Sequence, residues 1–183
     1  MYLCKPGAAQ TKANKGAARV QLLGSGTILR ESIAAQALLA QDWGVQSDVW
    51  SCPSFNELTR EGQDCERFNM LHPLEKPRVS FVSQQLEGHS GPVVAATDYM
   101  KAYAEQIRPF IPKDRTYRVL GTDGFGRSDF RGRLRTHFEV NRYYVVIAAL
   151  KSLADDGAIP AKTVADAIKK YGIDTEKVNP LYA

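Results

Sequence analysis

The chain has 183 residues, 44% of them hydrophobic, and a formal net charge of +4. That length fits one domain with an ordinary apolar core, and the composition excludes a fibrous or disordered chain. No apolar run reaches the roughly 20 residues of a bilayer span and residues 1–19 carry no signal-like apolar core, so the expectation is a cytoplasmic protein with no membrane partner.

Lys5, Lys12, Lys15 and Arg19 lie together without an acid among them and account for the whole net charge. A basic arm is one signature of nucleic-acid binding, but on an otherwise balanced body it reads as a solvated linker, with no nucleic acid expected. Residues 1–18 are therefore expected to be a linker from a preceding domain, with Met1–Cys4 the end of one of that domain's strands. Residues 19–183 are the domain itself. Cys4, Cys52 and Cys65 are odd in number and show no metal-ligand spacing, so they read as reduced thiols, Cys52 as a buried one.

From Val20 the pattern alternates between short apolar runs and helical periods. Val20–Leu23 is a buried strand stopped by Gly24-Ser25-Gly26. Residues 27–43 form a helix with Leu29, Ile33, Ala37 and Ala40 on its inner face and Gly44 beyond its end. Asp48–Cys52 is a second strand. The next helix spans 54–70, with Ser54 and Glu57 as a capping box and His72-Pro73 as its stop. Pro92–Thr97 is a strand, 98–111 a helix, and Tyr117–Leu120 a strand. Two helices close the chain: 141–155, facing inward through Val146, Ala149, Leu150 and Leu153, and one opened by Pro160, facing inward through Val164, Ile168 and Tyr171. The fold class is α/β: a three-layer α/β/α sandwich on a mixed, mostly parallel sheet of about five strands.

Few residues announce chemistry. The amides of Gly24, Ser25 and Gly26, between strand and helix, are arranged either as an anion site or as a plain tight turn. Arg131, Arg133, Arg135 and His137 offer a cationic cluster for a carboxylate or phosphate, or a solvated or interface helix. His72 fits a packing role and His89 a solvated loop. The most distinctive segment is Gly121-Thr122-Asp123-Gly124-Phe125-Gly126-Arg127-Ser128-Asp129. Its glycines permit close backbone approach, its aspartates suit capping of loop amides or pairing with Arg127, and Phe125 needs an apolar neighbour.

Several segments together resemble the final domain of homodimeric, thiamine-diphosphate-dependent bacterial pyruvate dehydrogenases. They are residues 20–26 (VQLLGSG), 52–58 (CPSFNEL), 62–67 (GQDCER), 97–101 (TDYMK), 121–129 (GTDGFGRSD) and 177–180 (KVNP). The Gly-rich loop also resembles its counterpart in transketolase. The resemblance implies a transketolase C-terminal-like fold and a division of labour. The complete enzyme decarboxylates pyruvate on thiamine diphosphate and Mg²⁺ and passes the acetyl unit to the lipoyl group of the dihydrolipoyl acetyltransferase core. Cofactor and metal lie between the two preceding domains, across the homodimer interface. This chain, with no thiamine-diphosphate motif, is then expected to bind no cofactor, to hold no catalytic or metal-ligating residue and to be inactive alone. Residues 121–129 are expected to serve an interface, and Gly24, Ser25, Gly26, Arg135 and His137 remain candidate anion contacts. A stand-alone α/β domain binding a phosphorylated metabolite, and a docking module for the lipoyl-bearing partner, are the alternatives.

Overall fold

The apolar runs enter one sheet in the computed structural model of the chain, which describes residues 1–8 and 16–183. Its strands are β1 (Tyr2–Lys5), β2 (Arg19–Gly24), β3 (Gln46–Ser51), β4 (Val93–Ala96) and β5 (Tyr117–Leu120), in the spatial order β1-β3-β2-β4-β5. β2 to β5 are mutually parallel, and β1 runs antiparallel along β3. The helices are α1 (Leu29–Trp43), α2 (Phe55–Leu71), α3 (Phe81–Leu86), α4 (Lys101–Glu105), α5 (Arg131–His137), α6 (Arg142–Asp155) and α7 (Ala161–Lys170).

Side chains alternate across the central strands, so each face builds its own core. Val20, Leu22, Val49 and Val94 point into a cluster with α1, α6 and α7. Leu23, Trp50, Val93 and Tyr117 point into another, covered by α2, α3 and α4. All four residues of β4 are buried, which is why its sequence is a continuous apolar run rather than an alternating one. The expected α/β/α sandwich is the fold observed.

Several elements depart from their expected form. Tyr2–Lys5 is not a strand end of another domain; it pairs Tyr2 with Ser51 and Leu3 with Trp50 at the edge of this sheet. Residues 9–15, most of the expected linker, lie outside the described residues. Arg19 is not part of a solvated arm: its guanidinium donates to Asp48 at 2.8 Å. His89 is likewise not simply solvated, since its Nδ1 lies 3.2 Å from the same carboxylate and its ring meets Trp50 edge-on. Burial pushes the Asp48 carboxyl up, and hydrogen bonds from the Gly7 amide, Gln21, Arg19 and His89 reverse that and hold it below the usual range.

The inner face expected for α1 holds only in part. Leu29 and Ile33 pack half-buried against the core, but the fully buried line is Ile28, Glu31, Ser32, Ala35, Gln36 and Leu39, while Ala37 and Ala40 face solvent. The expected helix over 98–111 is broken into α4 and a 3₁₀ turn at Arg108–Phe110, because residues 97–100 turn above the sheet and Pro109 has no amide to continue a ladder. Pro160 is the N-cap of α7 rather than its first helical residue. Ser54 does cap α2 by accepting from the Glu57 amide, but Glu57 turns outward to Arg60 instead of closing a reciprocal box. His72 ends α2 as expected, with Nδ1 2.9 Å from the Phe68 carbonyl oxygen and its ring stacked on Phe68. Cys4, Cys52 and Cys65 are free thiols, and burial pushes Cys52 up to about 12.

Candidate functional site

The loops leaving β2, β4 and β5 converge at the carboxyl edge of the sheet around a cleft of about 360 Å³. Thr27 and Ile28 reach it from β2, Asp98 from β4, and Thr122, Gly124, Gly126 and Arg127 from β5. Arg131, Leu134 and Arg135 of α5 close one side.

The Gly-Ser-Gly turn is shaped by close approach. A Cβ on Gly24 would sit 2.7 Å from the Leu29 Cα, and one on Gly26 2.7 Å from Asp98 Oδ1, at a φ of +55°. Thr27 donates its hydroxyl to Asp98 at 3.0 Å. The anion beside this turn is thus the protein's own Asp98 carboxylate.

Residues 121–129 tie three segments together. The Thr122 amide donates to the Tyr99 carbonyl at 3.0 Å, and its hydroxyl to the Asp98 carbonyl at 3.2 Å. Asp123 accepts from the Lys101 amide at 2.9 Å, capping α4, and Asp129 accepts from the Phe130 amide at 2.8 Å. Both aspartates cap amides, and neither pairs with Arg127 among the described residues. Gly124, at φ +110°, lies against the C-terminal 3₁₀ turn Pro180–Tyr182, where a Cβ would come within 2.2 Å of the Pro180 carbonyl oxygen. Phe125 is 76% exposed, and Gly126, Arg127 and Ser128 are exposed beside it.

The remaining candidates are drawn apart. Arg135 donates to Glu31 at 2.8 Å, where the amide of Arg142 (3.0 Å) and its Nε (2.9 Å) also converge. Burial pushes the Glu31 carboxyl up, but the hydrogen bonds and charge of Arg142, with the charge of Arg135, hold it below the usual range. His137 lies edge-on to Phe138, and its Nε2 is buried without a hydrogen-bond partner among the described residues. Burial, then the charges of Arg127 and Lys177, lower its pKa, which favours the neutral ring at pH 7. Arg135 and His137 therefore do not form one anion clamp. Glu31 and Asp98 are the acids that sequence reasoning missed. The one available signal was an acid in line, four residues apart, with Ala35 and Leu39.

Among the described residues no group of three or more His, Cys, Asp or Glu side chains is placed to hold a metal ion, and no helix is long and apolar enough to cross a membrane.

A family model described as the transketolase-like TK C-terminal domain matches residues 7–141. Over 168 residues the chain is 64% identical to the pyruvate dehydrogenase E1 component of Cupriavidus necator, covering 92% of this chain and 18% of that protein. It is 61% identical over 167 residues to the protein of the same name from Pseudomonas aeruginosa (91% and 19%). The corresponding protein of Escherichia coli (strain K12) is 61% identical over 165 residues (90% and 18%). The chain spans under a fifth of the length of these curated relatives.

Proposed function

The chain belongs to the transketolase-like TK C-terminal domain family, and from that footing we propose that it is the C-terminal assembly domain of a pyruvate dehydrogenase E1 component. The observation that carries this reading is 64% identity across 92% of the chain to a protein of that name, more than five times as long. In this reading the longer protein is an oxidoreductase of the bacterial cytoplasm, working as a homodimer. It decarboxylates pyruvate on thiamine diphosphate with Mg²⁺ and reductively acetylates the lipoyl group of the dihydrolipoyl acetyltransferase core. The 183 residues supply no catalytic group, cofactor ligand or metal ligand; residues 1–18 link to the preceding domains, with Tyr2–Lys5 already paired into this domain's sheet, and residues 121–129 pack against a neighbouring domain or subunit through Phe125.

Calorimetric titration of the 183-residue chain with thiamine diphosphate and Mg²⁺ tests the division of labour. No heat of binding in the micromolar range and no pyruvate consumption are expected. Micromolar binding by this chain alone overturns the assignment of the cofactor to the rest of the protein.

A further inference from the structure

The cleft at the carboxyl edge has a feature that an assembly role does not use. Arg127 and Arg131 both line it, and neither has an ion-pair or hydrogen-bond partner among the described residues. Their neighbours are committed: Arg133 reaches Asp129 at 4.0 Å and Arg135 reaches Glu31 at 2.8 Å. Asp98 is the one acidic residue lining the cleft, and it pairs with neither arginine, so the cleft carries separated charges with an excess of positive ones. The hydroxyls of Thr27 and Thr122 already give their protons to Asp98, which leaves them as acceptors.

The location is chemically favoured as well. β2 and β4 lie side by side, yet the chain leaves β2 through α1 on one face and β4 through α4 on the other. The carboxyl ends of two such strands open a crevice, and open parallel sheets bind ligands there. Ile28, Leu134, Phe138 and Val140 give it apolar walls, while Arg127 and Arg131 remain exposed to solvent.

We propose that this crevice binds a small metabolite with a phosphate or carboxylate at one end and a hydroxyl or amine at the other. Arg127 and Arg131 take the anionic head. Asp98, Thr27 and Thr122 accept hydrogen bonds from the donor end. The proposal adds a ligand site to the assembly domain and does not depend on which reaction the longer protein performs.

The test is calorimetry on the full-length protein saturated with thiamine diphosphate, using inorganic phosphate, glycerol phosphate and glycerate as probes. Glycerol phosphate against glycerate separates a phosphate head from a carboxylate one. The better of the two is expected to bind more tightly than phosphate and to lose at least about tenfold in Arg127→Gln/Arg131→Gln, the loss of roughly one charge-assisted hydrogen bond. Arg60→Gln, on the exposed face of α2, is expected to change nothing. Asp98→Asn is expected to tighten phosphate by about threefold by removing a like charge, and to abolish the advantage of the hydroxylated probe. Should the double variant disturb the loop, Arg127→Lys/Arg131→Lys keeps the charge but not the planar fork, and is expected to lose less affinity than the Gln variant; a loss as large as the Gln variant's overturns the charge assignment. If no probe binds the wild type, as when an acidic group of another domain fills the crevice, or if the Gln variant binds as the wild type does, the proposal fails. The assembly reading is untouched by that failure.

Discussion

Glu31 sits on the buried line of α1, only 3% exposed, and three segments depend on its charge. Arg135 arrives from α5, while Arg142 brings both its guanidinium and the first free amide of α6. Replacing it by Gln removes the charge and leaves two guanidiniums beside a neutral amide. Both arginines keep some contact with solvent, so we expect Glu31→Gln to cost about 2 kcal/mol, below the usual range for a broken buried pair. Because the folded carboxyl titrates below its ordinary value of 4.5, its contribution is complete above that value and is lost as pH falls through the lowered one. Urea midpoints at neutral pH and at successively lower pH should therefore show wild type and variant converging in acid. A difference that stays constant down to acid pH removes Glu31 from this role. Helical spacing put Glu31 in line with Ala35 and Leu39 but could not say what pairs with it, because the partners lie 104 and 111 positions away. A buried acid is legible only once its cations are placed. The same blindness put Ala37 and Ala40 on the expected inner face of α1, where the buried position is Gln36, held by the Lys5 and Ser47 carbonyls.

Elements were legible where their own pattern determined them. β4 is a run of buried apolar residues between turns, and α6 carries its core face at helical spacing and is capped by Asn141. α3 is only six residues and α4 only five, too short for a period to declare itself, and each is fixed by tertiary contacts. β1 was assigned elsewhere because four exposed residues cannot reveal which edge they pair with; here the edge of β3 decides. The loop after β5 was legible as distinctive, but its job of gripping the C-terminal turn was not. That grip is testable at two glycines. Gly124→Ala places a Cβ 2.2 Å from the Pro180 carbonyl oxygen at a φ that disfavours alanine, whereas a Cβ on Gly126 meets nothing. We expect the first to cost about 1–3 kcal/mol and to speed amide hydrogen exchange at residues 179–183, and the second to leave both unchanged. Equal exchange in the two variants disproves the contact.

At the scale of the molecule, the carboxyl edge carries a group of exposed aromatic side chains. Tyr99, Phe125, Phe130 and Tyr182 are all exposed on segments that meet there. Phe125 stands between two glycines, so little in its own loop holds the ring. Burial against a neighbouring domain or subunit would contribute about 1.5–3 kcal/mol, and the curated relatives have more than four fifths of their length available to supply that neighbour. A reacting loop at neutral pH needs a positioned acid or base. This loop offers two aspartates, both capping amides, and a single arginine, Arg127. In the proposed full-length homodimer, Phe125→Ala is therefore expected to weaken dimerisation or lower the melting temperature, with turnover per intact dimer nearly unchanged. Arg127, two residues on, lines the crevice instead, so Arg127→Gln should leave assembly intact where Phe125→Ala does not. Sedimentation and turnover measured together separate the cases. An intact dimer of normal stability whose turnover falls about a hundredfold, roughly 2.7 kcal/mol of lost transition-state stabilisation, would place the loop in the chemistry and remove it from the interface.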